Sequence, residues 1–249
     1  MTLLSIITIG INKKEILKTI DSYEQFINKE FCEIIIVKTR KLGDLNIKGN
    51  NLKIFYDDGK GPYNAMNIGL KKSTGKYIWF LNSGDKAIRK NLNNLIFALK
   101  DSTDSFILFS DDFHNFINKF ECLNFKVKNI YNLLLKLQIS PVNHQNIIIK
   151  SKFHKPFDTS YKISSDFSNF LKVLKTTNSS LRLFPFSIAN LSPGGLSDKN
   201  RKLAFIERYL ATKRVYKKTI YVKIAFQIRL IYLFTTNIIK FFIQQFRKW

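Results

Sequence analysis

Residues 59–85 read GKGPYNAMNIGLKKSTGKYIWFLNSGD, and the fold turns on how that stretch is parsed. Gly61-Pro62 is a helix entry, because proline forfeits nothing at the first helical position and its ring presets the φ a helix needs. Ala65, Met66, Gly69 and Leu70 then share one helical face. The apolar run Tyr77–Leu81 reads as a buried strand. It stops at Asn82-Ser83-Gly84 and a single carboxylate, Asp85, in a basic neighbourhood. Where strands of a parallel sheet alternate with helices, ligands bind beyond the carboxyl ends of the strands, and Asp85 stands at such an end.

Working outward, the first hundred residues predict a strand over Leu3–Gly10, a helix over Lys13–Phe26, a strand over Glu33–Val37, and strands near Leu52–Phe55 and Tyr77–Leu81. Alternation at this spacing predicts an α/β fold with a mostly parallel sheet. Farther on, SFILFS (105–110) and QNIIIK (145–150) predict strands, IYNLLLKL (130–137) and KISSDFSNFLKVL (162–174) helices, and LRLFPFSIANL (181–191) extended chain. From Asp198 the pattern turns helical.

A chain of 249 residues, 45% hydrophobic, can bury a large core and is not disordered. The net charge of +23 calls for anionic partners: nucleic acid, an acidic membrane surface or phosphorylated small molecules. Cys32 and Cys122 have no metal-ligand or CxxC spacing, so neither a disulfide framework nor a zinc site is indicated and a reducing cytoplasm fits. The start, MTLLSIITIG, has no basic leader and reads as a first strand rather than a signal peptide, so no export is expected.

Taken with LSIITIGIN (4–12), HQNIIIK (144–150), FDTSYKISSDF (157–167) and PGGLS (193–197), the 59–85 stretch resembles family 2 glycosyltransferases of the GT-A fold, in particular the bacterial polysaccharide-assembly branch. The likeness covers about residues 3–200 and implies a Rossmann-like, mostly parallel central sheet flanked by helices, forming a domain over residues 1–212. It also implies an inverting, hexosyltransferase-type enzyme that uses Mn²⁺ or Mg²⁺ and a nucleotide-diphosphate sugar donor, acting on a lipid-linked or oligosaccharide acceptor in surface polysaccharide or lipopolysaccharide assembly. By the same resemblance Asp85 is the metal- and diphosphate-binding acid, with Asn82 and Ser83 in its motif, and Asp166 is the general base. His144 and Gln145 form an HQ pair. Tyr63, Asn64 and Asn67 line the loop and helix before the metal strand, and Thr8 and Asn12 sit where the family contacts the nucleotide. The chain departs from the family at three places. Lys38 stands where an acid usually contacts the nucleoside, with Asp44 a displaced substitute. Gly59 replaces an acid that Asp57 or Asp58 could restore by a loop shift. Asn64 replaces an aspartate.

Expelling a nucleotide diphosphate develops charge that a divalent ion held by a carboxylate neutralises, and activating an acceptor hydroxyl needs a base on the opposite face. Each residue also has a plainer reading. Asp85 can cap a following helix; Ser164, Ser165 and Asp166 can cap the helix they open; His144 can be a buried structural histidine; Gly194 and Gly195 can be an ordinary turn. A nucleic-acid binder would show a recognisable module or a basic stripe with stacking positions, and none is seen. A non-catalytic subunit that keeps the fold is the other alternative. Residues 213–249 mix Lys and Arg with Phe, Tyr and Ile and contain no acid, and charges break every apolar window of spanning length. They predict a basic amphipathic tail lying on the anionic inner face of the cell membrane, the plainer alternative being a C-terminal helix packed on the catalytic domain.

Overall fold

The computed structural model describes residues 2–118, 126–176, 180–217, 220, 222–224 and 226–227. In chain order its strands are β1 (Leu4–Gly10), β2 (Cys32–Thr39), β3 (Leu52–Asp57), β4 (Tyr77–Phe80), β5 (Lys86–Ala87), β6 (Phe106–Phe109), β7 (Ile147–Lys150), β8 (Leu181–Phe184) and β9 (Ala189–Asn190). The helices are α1 (Lys13–Ser22), α2 (Pro62–Lys72), α3 (Leu92–Asp101), α4 (Asp111–Asn118), α5 (Val127–Lys136), α6 (Ser165–Lys175), α7 (Leu196–Lys199) and α8 (Arg201–Tyr216). Seven strands form one sheet in the order β3-β2-β1-β4-β7-β6-β8, and β5 pairs with β9 apart from it.

Successive side chains of a strand point to opposite faces, and both faces of this sheet are covered. Ile6, Ile34 and Trp79 face α1 and α3, packing with Ile16, Ile20, Leu95 and Leu99. Their neighbours Ile7, Ile35 and Ile78 face α2, packing with Ala65 and Met66. Burying each such side chain contributes roughly 1.5–3 kcal/mol, which is why these strands are apolar without alternation. A third cluster at the other edge joins Phe106, Leu108, Ile147 and Ile149 to α5, α6 and α8.

One strand runs against the rest: β7 is antiparallel to both β4 and β6, whereas the β1–β2, β2–β3, β1–β4 and β6–β8 pairs are parallel. Its register, Trp79↔Ile148 and Tyr77↔Lys150, places the residues just before β7 beside the carboxyl end of β4. The reversal thus brings His144 and Gln145 to the end of the sheet where Asp85 lies.

Two boundaries differ from the sequence expectation. The first helix stops at Ser22, and Glu24–Phe26 forms a separate 3₁₀ turn, because Tyr23 leaves helical geometry and is fully buried with its hydroxyl on Thr8. The domain limit expected after Thr212 falls inside α8, which runs on to Tyr216 and buries Ala211, Thr212 and Val215. Val222 is buried as well, its carbonyl accepting from Gln138 Nε2 at 3.3 Å. The start of the expected tail therefore belongs to the core; residues 228–249 lie outside the described residues.

Candidate active site

The turn after β4 is built around Asp85. Gly84 takes φ +96°, a left-handed conformation that favours glycine, and the peptide of Asp85 donates to Asn82 O at 3.1 Å. Thr19 of α1 braces the turn, its hydroxyl accepting from Gly84 N–H at 2.9 Å and donating to Asp85 O at 2.8 Å. At the end of β1, a Cβ on Gly10 would sit 2.4 Å from Ser83 Oγ, so glycine is what lets the two strand ends close up. The chain then continues as β5, so Asp85 caps no helix. Its buried carboxylate accepts from Ser192 N–H at Oδ1 (2.9 Å) and from Gln145 Nε2 at Oδ2 (2.6 Å).

Gln145 is held in place by its own backbone, whose carbonyl accepts from the indole N–H of Trp79 at 2.7 Å. Its neighbour His144 points the other way. Nδ1 lies 3.3 Å from Asp166 Oδ2, and Nε2 lies 3.1 Å from Asn82 Nδ2. With the amide nitrogen donating, Nε2 carries the lone pair and Nδ1–H faces the carboxylate. Adjacent residues on one turn therefore join the two acids, Gln145 to Asp85 and His144 to Asp166.

Tyr63, in the first turn of α2, donates to Asp166 Oδ1 at 3.2 Å and to the carbonyl of Ile163. Burial, and then the charge of Asp166, push the Tyr63 phenol well above its ordinary range, so it remains a donor. For Asp166, burial alone would raise the carboxyl. The hydrogen bond from His144, together with the Phe167 N–H and Arg208, outweighs it and holds the group below the usual carboxylate range. Behind this pair Phe80, Phe157, Phe170 and Ile147 line a small apolar cavity with His154, whose imidazole burial pushes down to about 4 and keeps neutral at physiological pH.

α6 has no side-chain cap at Ser164. The lead-in is fixed instead from α8, where buried Glu207 accepts from the N–H groups of Lys162 (2.7 Å), Ile163 (2.8 Å) and Ser164 (2.9 Å). Sequence reasoning missed Glu207, although it is the lone acid after Asp198 in a strongly basic stretch, which is a usable signal. Glu207→Ala strands three donors, the Ser164 N–H buried and those of Lys162 and Ile163 part-buried, at up to about 1–3 kcal/mol each before relaxation, while Gln keeps one acceptor. Expected are a melting point lower by several degrees and, per folded molecule, a kcat at least tenfold lower with donor KM unchanged, substantially rescued by Glu207→Gln. Full turnover by the folded fraction of the Ala variant would reduce Glu207 to a stability role.

The remaining sequence-selected residues divide. Asn64 Nδ2 donates to Asp57 Oδ1 at 2.5 Å, and Asp57 Oδ2 accepts from Gly59 N–H at 3.0 Å, so Asp57 supplies a carboxylate where Gly59 and Asn64 lack one. Asn12 is exposed and caps α1 through Glu15 N–H. Two expectations are corrected. Thr8 is fully buried with its hydroxyl 2.9 Å from Tyr23 Oη, so it faces the core rather than a nucleotide. Asn67 spends its amide on the backbone of Phe157, donating to its carbonyl at 2.9 Å and accepting its N–H at 2.7 Å, which ties α2 to the segment before α6. Lys38 is buried, its ammonium donating to Gly43 O at 2.6 Å and lying 4.7 Å from the Tyr56 ring centre. Asp44 is exposed and offers its carbonyl to Lys13.

Among the described residues no three His, Cys, Asp or Glu side chains cluster to hold a metal ion. Asp85 is the acid at the strand end, and beside it two buried amide oxygens, Gln145 Oε1 and Asn82 Oδ1, have no partner. An all-oxygen set of this kind suits a hard divalent cation.

A mostly parallel sheet with one reversed strand and an acid at the end of β4 is the arrangement of GT-A glycosyltransferases. The model of the family described as "Glycosyl transferase family 2" matches residues 5–137, more than half of the chain, and the chain belongs to that family. An uncharacterized glycosyltransferase of Rickettsia bellii is 33% identical over 97 residues; the match takes in 32% of this chain and only 14% of that relative's length. Among solved structures, Staphylococcus aureus TarS (residues 1–349) superposes with TM-score 0.60 at 13% identity, over 90% of this chain and 69% of that one. The mannosyltransferase PcManGT of Pyrobaculum calidifontis, solved with GDP-Man and Mn²⁺, gives 0.58 at 14% identity over 90% and 68%. Glucosyl-3-phosphoglycerate synthase of Mycobacterium tuberculosis, solved with Mn²⁺, UDP-glucose and phosphoglyceric acid, gives 0.57 at 12% over 86% and 80%. These likenesses establish the fold.

Proposed function

We propose that the protein is a metal-dependent, inverting glycosyltransferase that moves a sugar from a nucleotide-diphosphate sugar to a lipid-linked or oligosaccharide acceptor in surface polysaccharide assembly, working at the inner face of the membrane. The observation that carries the reading is the pair of acids joined through one dipeptide, Asp85–Gln145 and His144–Asp166. Asp85 would hold Mn²⁺ or Mg²⁺, with the amide oxygens of Gln145 and Asn82 close at hand and the donor's phosphates completing the set. The ion when bound would neutralise charge on the departing diphosphate. Asp166, ionised below the usual range and oriented by His144 and Tyr63, would take the acceptor hydroxyl's proton, the role that direct displacement requires. Asn82 fixes the imidazole that fixes Asp166. Among the described residues no helix is long and apolar enough to cross a membrane, and a lipid-linked acceptor would be met by surface attachment.

Thermal shifts with UDP, GDP, CDP and their sugars, each with and without Mn²⁺, test the donor half of the reading. One nucleotide is expected to raise the melting point by several degrees only when Mn²⁺ is present. No shift with any nucleotide under either condition would favour a subunit that keeps the fold without the activity.

A further inference from the structure

The outer face of α8 is exposed at Lys202, Ile206, Leu210 and Lys213, with Arg214 at its edge paired to Asp158. Spacings of three and four residues align Lys202, Ile206, Leu210 and Lys213 in one stripe. The helix's one acid, Glu207, is turned inward onto the lead-in to α6. Next to α8, Phe226 stacks on Phe205 and Tyr209 with ring centres 4.9 and 4.2 Å apart, and this segment leaves Ile220 and Ile224 exposed beside Lys223. Before α8 in the chain, Leu191 and, at the start of α7, Leu196 are exposed. Asp198 is the one exposed acid among the described residues from 191 to 227.

We propose that this face docks on an anionic lipid bilayer. Aliphatic side chains ringed by lysines fit a headgroup region, where apolar burial and attraction to acidic lipids add together. Single-stranded nucleic acid asks instead for exposed aromatic rings on which bases stack. Here the exposed apolar groups are Ile and Leu; of the aromatics of α8, Phe205 and Tyr209 are engaged with Phe226, and Tyr216 packs on the core with Lys136 over its ring. The segment that precedes α7 touches the candidate active site, where Ser192 donates its N–H to the Asp85 carboxylate and its hydroxyl to Gly84 O. Docking would then hold the crevice at the bilayer surface. That last step rests on the proposed transferase function; the docking does not.

The test is co-sedimentation of the full chain with phosphatidylcholine vesicles, with and without roughly one-third phosphatidylglycerol, beside titration of a fluorescent single-stranded oligonucleotide. Two double variants are compared, Ile206→Ser with Leu210→Ser and Lys202→Glu with Lys213→Glu; all four positions are exposed and lie outside the active site. The wild-type protein is expected to sediment only with the anionic vesicles, and each variant to lose at least tenfold in apparent affinity with its melting point and nucleotide response unchanged. Wild-type-like binding by both variants overturns the proposal, as does absence of vesicle binding or a stronger preference for the oligonucleotide. Sedimentation involves no turnover, so a failed transferase assay and a failed docking assay are separate results.

Discussion

Asp166→Asn gives a folded protein that binds donor nucleotide as the wild type does and turns over roughly 10²–10⁴-fold more slowly. The amide keeps an oxygen for the Tyr63 hydroxyl but turns an N–H toward His144. The imidazole answers by moving its proton to Nε2, and the Asn82 amide can then rotate to present Oδ1, which has no partner in the native arrangement. The network is thus able to re-pair without unfolding, while a carboxamide cannot accept the acceptor's proton. The pH profile supplies a second readout. Because the folded carboxyl lies below its unfolded value near 3.9, its stabilising contribution is fully present above that pH and is lost as pH falls through the folded value. The acidic limb of the wild-type rate profile should therefore lie below the ordinary carboxylate range. In His144→Ala the first of the contacts that oppose burial is lost, and the limb should move to higher pH. Wild-type turnover by the Asp166→Asn protein would remove Asp166 from the mechanism.

Asp85→Asn is expected to abolish Mn²⁺-dependent transfer and the Mn²⁺-dependent part of nucleotide binding with little change in melting point. The new amide keeps an oxygen for Ser192 N–H and presents a donor to Gln145, whose side chain can rotate so that its unpaired Oε1 accepts. What disappears is the negative charge at the end of β4, and a neutral amide is a poor substitute toward a divalent ion. Isothermal titration with Mn²⁺ and UDP, together with a turnover assay across Mn²⁺ concentrations, reads the effect directly. Turnover that retains the wild-type Mn²⁺ dependence would show that the metal, if used, is held elsewhere.

The central strands were legible because they are buried on both faces, so that runs such as EIIIV and YIWF admit little but a strand. The turn at Asp85 was legible because its residue types are those a tight strand end requires. Other features are tertiary and leave no local trace. Nothing near His144 says that β7 runs backwards; the direction is set by its pairing with β4 and β6. Thr8 sits near the end of β1 as a nucleotide contact would, but the side-chain alternation points it into the core, where Tyr23 meets it. Glu207 lies 41 positions from Asp166, and only the packing of α8 on α6 brings it to the lead-in of that helix. The boundary expected after Thr212 rests on a change of composition, whereas burial of Val215 and Val222 carries the core beyond it.

The reversed strand has a consequence for how this chain can change length. Two neighbouring side chains serve two different acids, and the turn that carries them is anchored on one side by Trp79 and on the other by the β4–β7 register. Substitutions there can be absorbed by amide rotation, as the two aspartate variants illustrate. Insertion or deletion of one residue between Asn143 and Ile147 cannot, because it would turn the next side chain toward the opposite acid or slip the register of β7. Homologous segments free to vary in composition at this turn should therefore be fixed in residue count.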